Sequence, residues 1–393
     1  MPNLTRSATY LSLFCLTIGA SHGAATRIAF VDAFATARGN AFTATADTPS
    51  AVFYNAAGLT QLEGTEVRAN AFAISLGYTF NGDAGNDSMD DRFQVVPSFF
   101  VGHKFAEAPI AIGFGIYSPF ALGTDWGSDA SFASHPFDAG VPYRADLVYT
   151  KYHAVAAWQV TDTLSLAAGI SFDDTKIDVR SNALRFDGSD QTLGYSLAAL
   201  WKPSEKHAFG LNYQAKTDIT YKGTATITGL GKMKTSADLV YPESIVFGYA
   251  YRPSEKWNFE FNLDWTNWDR VKTLTLDGIP GAAYDLNWES AFIWQLGATR
   301  YLDNGWHVSA GYTYVENAVP DTEFLPIVPD SDRHFFAVGV GRDYARVSWQ
   351  LTYQFTYAKD RRVSGAQVSP IGSVDGDYDL ESQAIAFSLS YRF

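Results

Sequence analysis

From about residue 64 onward the chain alternates large apolar side chains with small or polar ones, segment after segment. In the last segment Ile385, Phe387, Leu389, Tyr391 and Phe393 alternate with Ala386, Ser388, Ser390 and Arg392. In the first, Phe72, Ile74, Leu76, Tyr78 and Phe80 alternate with Ala71, Ala73, Ser75, Gly77 and Thr79. A period of two belongs to β-strands whose two faces meet different surroundings. Here one face suits lipid and the other a lumen. The alternation also explains an odd composition: 47% hydrophobic and 15% aromatic residues, only 18% charged, yet a mean hydropathy of −0.10. A continuous greasy face is built without any run of about 20 apolar residues, so spanning helices are not expected.

Segments of this kind fall at 65–80, 93–104, 109–117, 146–160, 163–180, 189–201, 206–222, 238–252, 256–268, 288–302, 305–315, 333–342, 346–358 and 382–393. Fourteen strands are an even number, as single-chain bacterial barrels require. The connections alternate in length. Ala106–Ala108, Thr161-Asp162, Lys202–Glu205, Arg252–Glu255, Asp303-Asn304 and Asp343–Ala345 are short, whereas 81–92, 118–145, 181–188, 223–237, 269–287, 316–332 and 359–381 are long. Short turns at one rim and long loops at the other are the polarity of an outer-membrane barrel. The expected fold is therefore all-β, a 14-stranded antiparallel transmembrane barrel over 65–393. Its last strand ends in an outward Phe393, where the barrel-assembly machinery is expected to read it.

Residues 1–25 read as a secretory signal. Arg6 supplies the positive start, Ala8–Ala20 the short apolar stretch, and Ser21-His22-Gly23-Ala24-Ala25 the small residues for a peptidase. The single Cys15 lies inside it, so no disulfide is expected. Residues 26–64 do not alternate and carry scattered Phe30, Phe34, Phe42 and Phe53. A barrel this wide is not filled by its own side chains, so this segment reads either as a plug in the lumen or as a periplasmic tail. A net charge of −13 argues against nucleic acid as a partner.

Several stretches carry a resemblance. They are Gly39–Asp47 followed by Ser50–Leu59 with Asn55-Ala56-Ala57-Gly58, then Ser118–Trp126, Tyr241-Pro242-Glu243-Ser244 with Asp264–Trp268, and Val328–His334. In this order they are similar to the outer-membrane long-chain fatty acid transporter family (the FadL family). The resemblance covers essentially the whole chain after the signal. It implies a barrel plugged by an N-terminal hatch and passive uptake of hydrophobic compounds, most simply long-chain fatty acids. Substrates are implied to enter through extracellular loops, bind in the lumen and leave sideways through a kink in the wall. Uptake of aromatic or other hydrocarbons by the same route is the alternative. The family's signature Pro is Ala56 here, so the turn is expected to be less rigidly held, with Asn55 capping and Gly58 at positive φ.

Candidate sites follow from this. Phe120, Leu122 and Trp126, apolar residues in a long loop, mark a greasy entrance or simple loop packing. Gly113 and Gly115 mark either the exit kink or clearance for the plug. Lys176 and Arg180 read as contacts for a substrate carboxylate or for lipopolysaccharide. His103, His135, His153, His207, His307 and His334 lack metal-ligand spacing, so no metal and no cofactor is expected. The acidic loop Asp83–Asp91 lacks an EF-hand glycine and reads as a solvated loop or a divalent-ion bridge. No Gly-x-Ser-x-Gly elbow occurs, and an enzyme is not expected. From another class, an outer-membrane hydrolase would need a Ser/His pair on the lipid-facing wall, and an adhesin would bind through its loops alone. The expected partners are hydrophobic small molecules, outer-membrane lipid and lipopolysaccharide, with the chain acting as a monomer.

Overall fold

The computed structural model describes residues 25–89 and 92–393; the signal segment falls almost wholly outside them. Fourteen strands form the wall. They are β1 (Gly64–Gly82), β2 (Arg92–Lys104), β3 in two pieces (Ile110–Tyr117 and Ala121–Asp125), β4 (Pro142–Gln159), β5 (Leu164–Ser181) and β6 (Leu184–Ser204). They continue as β7 (His207–Gln214 and Thr217–Ile227), β8 (Gly231–Tyr241 and Ser244–Ser254), β9 (Trp257–Thr266) and β10 (Ala291–Tyr301). The last four are β11 (Trp306–Val315), β12 (Arg333–Asp343), β13 (Val347–Ala358) and β14 (Gly376–Arg392). Each is antiparallel to its neighbours, and β14 returns to β1 in a continuous register from Glu66↔Arg392 to Gly82↔Gly376, which closes the barrel. Closure leaves no edge strand to seek a partner.

The expected fourteen-stranded barrel is thus observed, with corrections to its rims, one being that Ala121–Asp125, read as part of the long loop 118–145, is a wall strand paired with β4. Stretches 181–188 and 223–237, read as long loops, are mostly ladder: β5 and β6 pair up to Arg180↔Arg185, and β7 and β8 up to Ile227↔Gly231. These strands run past the apolar band, so their outward positions turn polar and the hydrophobic alternation fades while the hydrogen bonding continues. The facing of β1 is also reversed. Its large residues Phe72, Ile74, Leu76, Tyr78 and Phe80 are buried in the lumen, and Ala71, Ala73, Ser75, Gly77 and Thr79 point outward. In β14 the large residues Ile385, Phe387 and Leu389 do face outward, as expected of a lipid-facing wall. The lumenal face of β1 is apolar because it packs on other apolar groups: Phe30 stacks on Phe72 at 5.5 Å, and Trp126 approaches Tyr78 at 6.4 Å.

Residues 25–62 lie inside the barrel and are nearly all buried. They form α1 (Ala33–Ala37), α2 (Ala51–Tyr54) and a 3₁₀ turn at Ala56–Gln61. Asp32 caps α1 by accepting from the backbone N–H of Phe34 and Ala35 at 2.8 and 3.1 Å. It also pairs with Arg68 of β1. Asn55 caps the 3₁₀ turn through the Ala57 N–H at 3.1 Å and donates to the carbonyls of Thr43 and of Ala199 in β6 at 2.8 and 2.9 Å. Gly58 does not take the positive φ expected of it. It is needed for close approach, because a Cβ there would stand 2.1 Å from the Ala46 carbonyl oxygen.

Candidate functional site

The N-terminal segment meets two unlike walls. The inward residues of β9 are Asn258, Glu260, Asn262, Asp264 and Thr266, an unbroken polar column. Glu260 accepts from Arg38 Nη2 at 2.8 Å, from the Ala44 N–H at 2.6 Å and from the Thr45 hydroxyl at 2.5 Å. Asn262 donates to the Asn40 carbonyl at 3.1 Å, and Arg27 donates from Nη1 to Asp264 and Thr266, each at 2.5 Å. The other wall, β2–β6, presents small and apolar groups. Val52, Leu59 and Leu62 pack there against Phe100, Ala111, Val155, Ala157, Ala167 and Ala198.

Gly113 and Gly115 belong to that apolar contact. A Cβ at Gly113 would stand 2.6 Å from Leu59 and 2.7 Å from Val52, and one at Gly115 would stand 3.1 Å from Val52. Both glycines are fully paired, with Gly102 and Phe100 of β2 and with Val155 and His153 of β4. The wall departs from regularity slightly higher. The β2–β3 ladder ends at Phe99↔Ile116, although β2 continues to Arg92, and Ser118-Pro119-Phe120 leave the wall between the two pieces of β3. There they pair with the N-terminal segment instead: the Ile28 N–H donates to Pro119 at 2.8 Å and the Ala121 N–H to Thr26 at 3.0 Å. Continued register would set Pro97 opposite Ser118. Pro97, whose position would donate to Ser118, withholds the hydrogen bond that zipping would need, and Pro119 likewise has no N–H to offer on the β4 side. Outward residues beside it, Phe93 and Phe99, are exposed and apolar, so the break lies in the lipid-facing band. The β6–β7 ladder is also interrupted, between Ser196↔Gln214 and Ser189↔Lys222, where the outward groups are mixed: exposed Leu193 and Tyr195 beside Gln191, Lys216 and Asp218.

A cavity of about 50 Å³ lies between the segment and the wall, lined by Arg27, Thr43, Phe53, Tyr117, Phe120 and Lys151 among others. That volume holds only a few waters. Ligand pockets are typically about 300–1,000 Å³, so a long ligand requires displacement of the segment. Phe120, Leu122 and Trp126 are only 8, 5 and 5% exposed. Phe120 sits in an aromatic cage, with ring centroids 5.5 Å from Tyr149, 4.8 Å from Tyr241 and 6.0 Å from Trp268. Trp126 donates its indole N–H to the Pro326 carbonyl at 2.9 Å, which ties its loop to 316–332.

Lys176 and Arg180 are not brought to this lumen. In β5 the odd positions Ser171, Asp173, Thr175 and Val179 are buried inward, so the even positions face away. Arg180 is held there by Asp178 at 2.9 Å. The cations lining the cavity are Arg27 and Lys151, neither of which stood out in the sequence. Lys151 Nζ lies 3.2 Å from Asp173 and 3.2 Å from Ser171 Oγ. Nearby, His153 contacts the Tyr117 hydroxyl through Nδ1 and Ser196 Oγ through Nε2, both at 2.9 Å. This Ser/His pair faces the lumen rather than lipid, and a tyrosine occupies the place of a triad carboxylate. Among the described residues no cluster of three or more His, Cys, Asp or Glu is placed to hold a metal. In the acidic loop, Asp87 accepts from the Ser131 N–H at 2.9 Å, and Asp90 and Asp91 lie outside the described residues.

A closed fourteen-stranded barrel of this kind is a membrane-channel architecture. The sequence profile of the outer membrane protein transport protein family (OMPP1/FadL/TodX) matches residues 16–393, and the chain belongs to that family. Outer membrane protein P1 of Haemophilus influenzae is 23% identical over 96% of both chains. The long-chain fatty acid transport protein of Salmonella typhi is 22% identical, covering 89% of this chain and 88% of its own. Among solved structures, a Pseudomonas aeruginosa FadL homologue superposes with a TM-score of 0.84 at 17% identity, covering 94% of this chain and 99% of its own. The Pseudomonas putida toluene transporter TodX superposes at 0.70 and 15% identity, covering 94% and 100%. The family is one of outer-membrane channels for hydrophobic compounds.

Proposed function

We propose that this protein admits long-chain fatty acids passively, with residues 26–63 as a movable hatch and the β2–β3 break as the lateral exit. The observation that carries the reading is the β-bridge of residues 26–28 with 119–121. It joins the cation-bearing cavity to the interrupted wall. A ligand passing Trp126, Leu122 and Phe120 reaches Arg27 and Lys151 with its carboxylate. Its chain then lies beside a break that opens on hydrocarbon, so it need not return to water. Each cation already has a carboxylate partner, so a ligand head must compete with Asp264 or Asp173.

A second reading, uptake of monoaromatic hydrocarbons, is favoured by the small cavity and its aromatic lining of Phe53, Tyr54, Tyr117 and Phe120, which suit a compact neutral ligand. Uptake of oleate and of toluene, measured in a host lacking its own transporter, separates the two. Oleate uptake is expected, falling several-fold in Lys151→Met and in Arg27→Met. Toluene uptake without oleate uptake, or oleate uptake indifferent to both substitutions, overturns the fatty acid reading.

A further inference from the structure

The outward face of β4–β8 above the apolar band carries a pattern of charge that transport does not use. Along β5 the outward residues change from Leu166, Ile170 and Phe172 to Asp174, Lys176, Asp178 and Arg180. At about 3.4 Å per residue and a tilt near 40°, Lys176 stands about 10 Å above Phe172 along the membrane normal. One row directly across neighbouring strands reads Arg144↔Arg180↔Arg185↔Thr226↔Lys232. Like charges directly opposite are unfavourable in a sheet. The row below reads Asp146↔Asp178↔Asp187↔Thr224↔Lys234, which compensates the arginines but not β7 and β8. Arg180 and Arg185 share the single carboxylate Asp178, at 2.9 and 2.6 Å. On the β7–β8 hairpin Lys222, Lys232 and Lys234 are exposed, and the polar side-chain contact of Lys234 is the Thr224 hydroxyl at 2.9 Å.

The diametrically opposite wall is the reverse. The outward residues near the start of β14 are Asp377, Asp379 and Glu381, with Arg362 against Asp377 at 3.3 Å. In a chain of net charge −13 the lysines of the β7–β8 hairpin make no ion pair among the described residues, although exposed Asp187 and Asp238 and the Asp277 held on Ser236 share their face, and Lys222 stands in register with Lys176 through Ser189.

We propose that the outer face of β5–β8 docks the phosphorylated glucosamine headgroup of lipopolysaccharide. Lys222, Lys232 and Lys234 contact phosphate directly, while Arg180 and Arg185, each already donating through Nε and Nη2 to Asp178, add positive charge beside it. Phosphate is matched to lysine point charges, and the outer leaflet presents it at this height. The inference rests on the outer-membrane placement and is independent of which substrate is carried.

The test titrates the detergent-purified protein with diphosphoryl lipid A in EDTA, which removes divalent bridges. Lys222→Gln/Lys232→Gln/Lys234→Gln is expected to bind at least tenfold more weakly, and the Arg substitutions at the same three positions to bind as the wild type. Asp377→Asn/Asp379→Asn/Glu381→Gln, on the far wall, is expected to be unaffected. Wild-type affinity in the Gln variant, or equal binding of dephosphorylated lipid A, overturns the proposal. Equal competition by phosphatidylglycerol overturns the assignment to lipopolysaccharide. These side chains lie outside the barrel packing, and heat-modifiable migration on gels confirms that each variant is folded.

Discussion

Glu260 is where the N-terminal segment is most heavily tied to the wall, and its removal gives a quantitative test of how that segment is held. Its three donors all lie in residues 38–45, and the side chains of the Glu260–Arg38 pair are both 0% exposed. In Glu260→Gln the guanidinium loses its counter-charge. Arg38 Nε and Nη1 have no protein partner to begin with. What remains is its stacking over Phe34 and Phe42, at 5.2 and 5.3 Å, which is present with or without Glu260. Breaking one side of a buried ion pair costs about 3–5 kcal/mol. The glutamine carbonyl still accepts from Ala44, so the lower end applies. At 1.4 kcal/mol per factor of ten, about 3 kcal/mol raises the undocked fraction roughly 100-fold. The cost falls on docking rather than on the barrel, because the ladder pairs of residue 260, with Ala250 and Gly297, are made by backbone. Planar-bilayer conductance and limited proteolysis of residues 26–63 measure it, with heat-modifiable migration as the control for the barrel. More frequent conducting events and faster cleavage are expected. The apolar pair Arg38→Met/Glu260→Leu is expected to restore docking, since a well-packed replacement of a buried pair is often neutral. A Gln variant as quiet and as protected as the wild type would refute the reasoning.

Two further substitutions probe the same lumen. At Gly311 a Cβ would stand 1.9 Å from the Gly39 nitrogen and 2.1 Å from the Arg38 carbonyl carbon, a backbone clash no rotamer relieves. Gly311→Ala is therefore expected to free the segment in the proteolysis assay, whereas Gly140→Ala, with nothing within 4 Å, leaves it protected; equal cleavage of the two variants would contradict this. Pro97→Cys/Ser118→Cys places a thiol on each side of the β2–β3 break in a chain whose one native cysteine is Cys15. Oxidation is expected to lower oleate uptake several-fold, with recovery in reductant. A disulfide that forms and leaves uptake unchanged would move the exit elsewhere.

Strand number and closure were legible because alternation is a local property of consecutive residues. Facing was not, since a period of two does not say which face meets lipid; β1 turns its large residues inward because Phe30 and Trp126 wait there. The same ambiguity misplaced Lys176 and Arg180, where counting from buried Asp173 would have put them outside. The polar column of β9 was visible as Asn, Glu, Asn, Asp and Thr on every second position, a signal that something polar must lie opposite. Arg27 gave no local signal, because its partner Asp264 is 237 residues away. Gly113 and Gly115, read either as a kink or as clearance, stand in fully paired wall against Leu59 and Val52, and the ladder breaks at Ser118–Phe120, where no glycine marks it in the sequence.

The seam between the first and last strands has a consequence for assembly. Arg68 of β1 reaches both Asp32 and, at 2.9 Å, Ser390 of β14. Ser388 of β14 accepts from the Ala33 N–H at 2.8 Å and donates to Asn70 of β1. The start of α1 therefore bridges the two strands that meet last when the cylinder closes. Joining the ends of the sheet and seating the N-terminus complete one set of hydrogen bonds, so neither event is finished without the other. A barrel that sealed before its own N-terminus arrived would leave a buried arginine and two serines waiting on an empty joint.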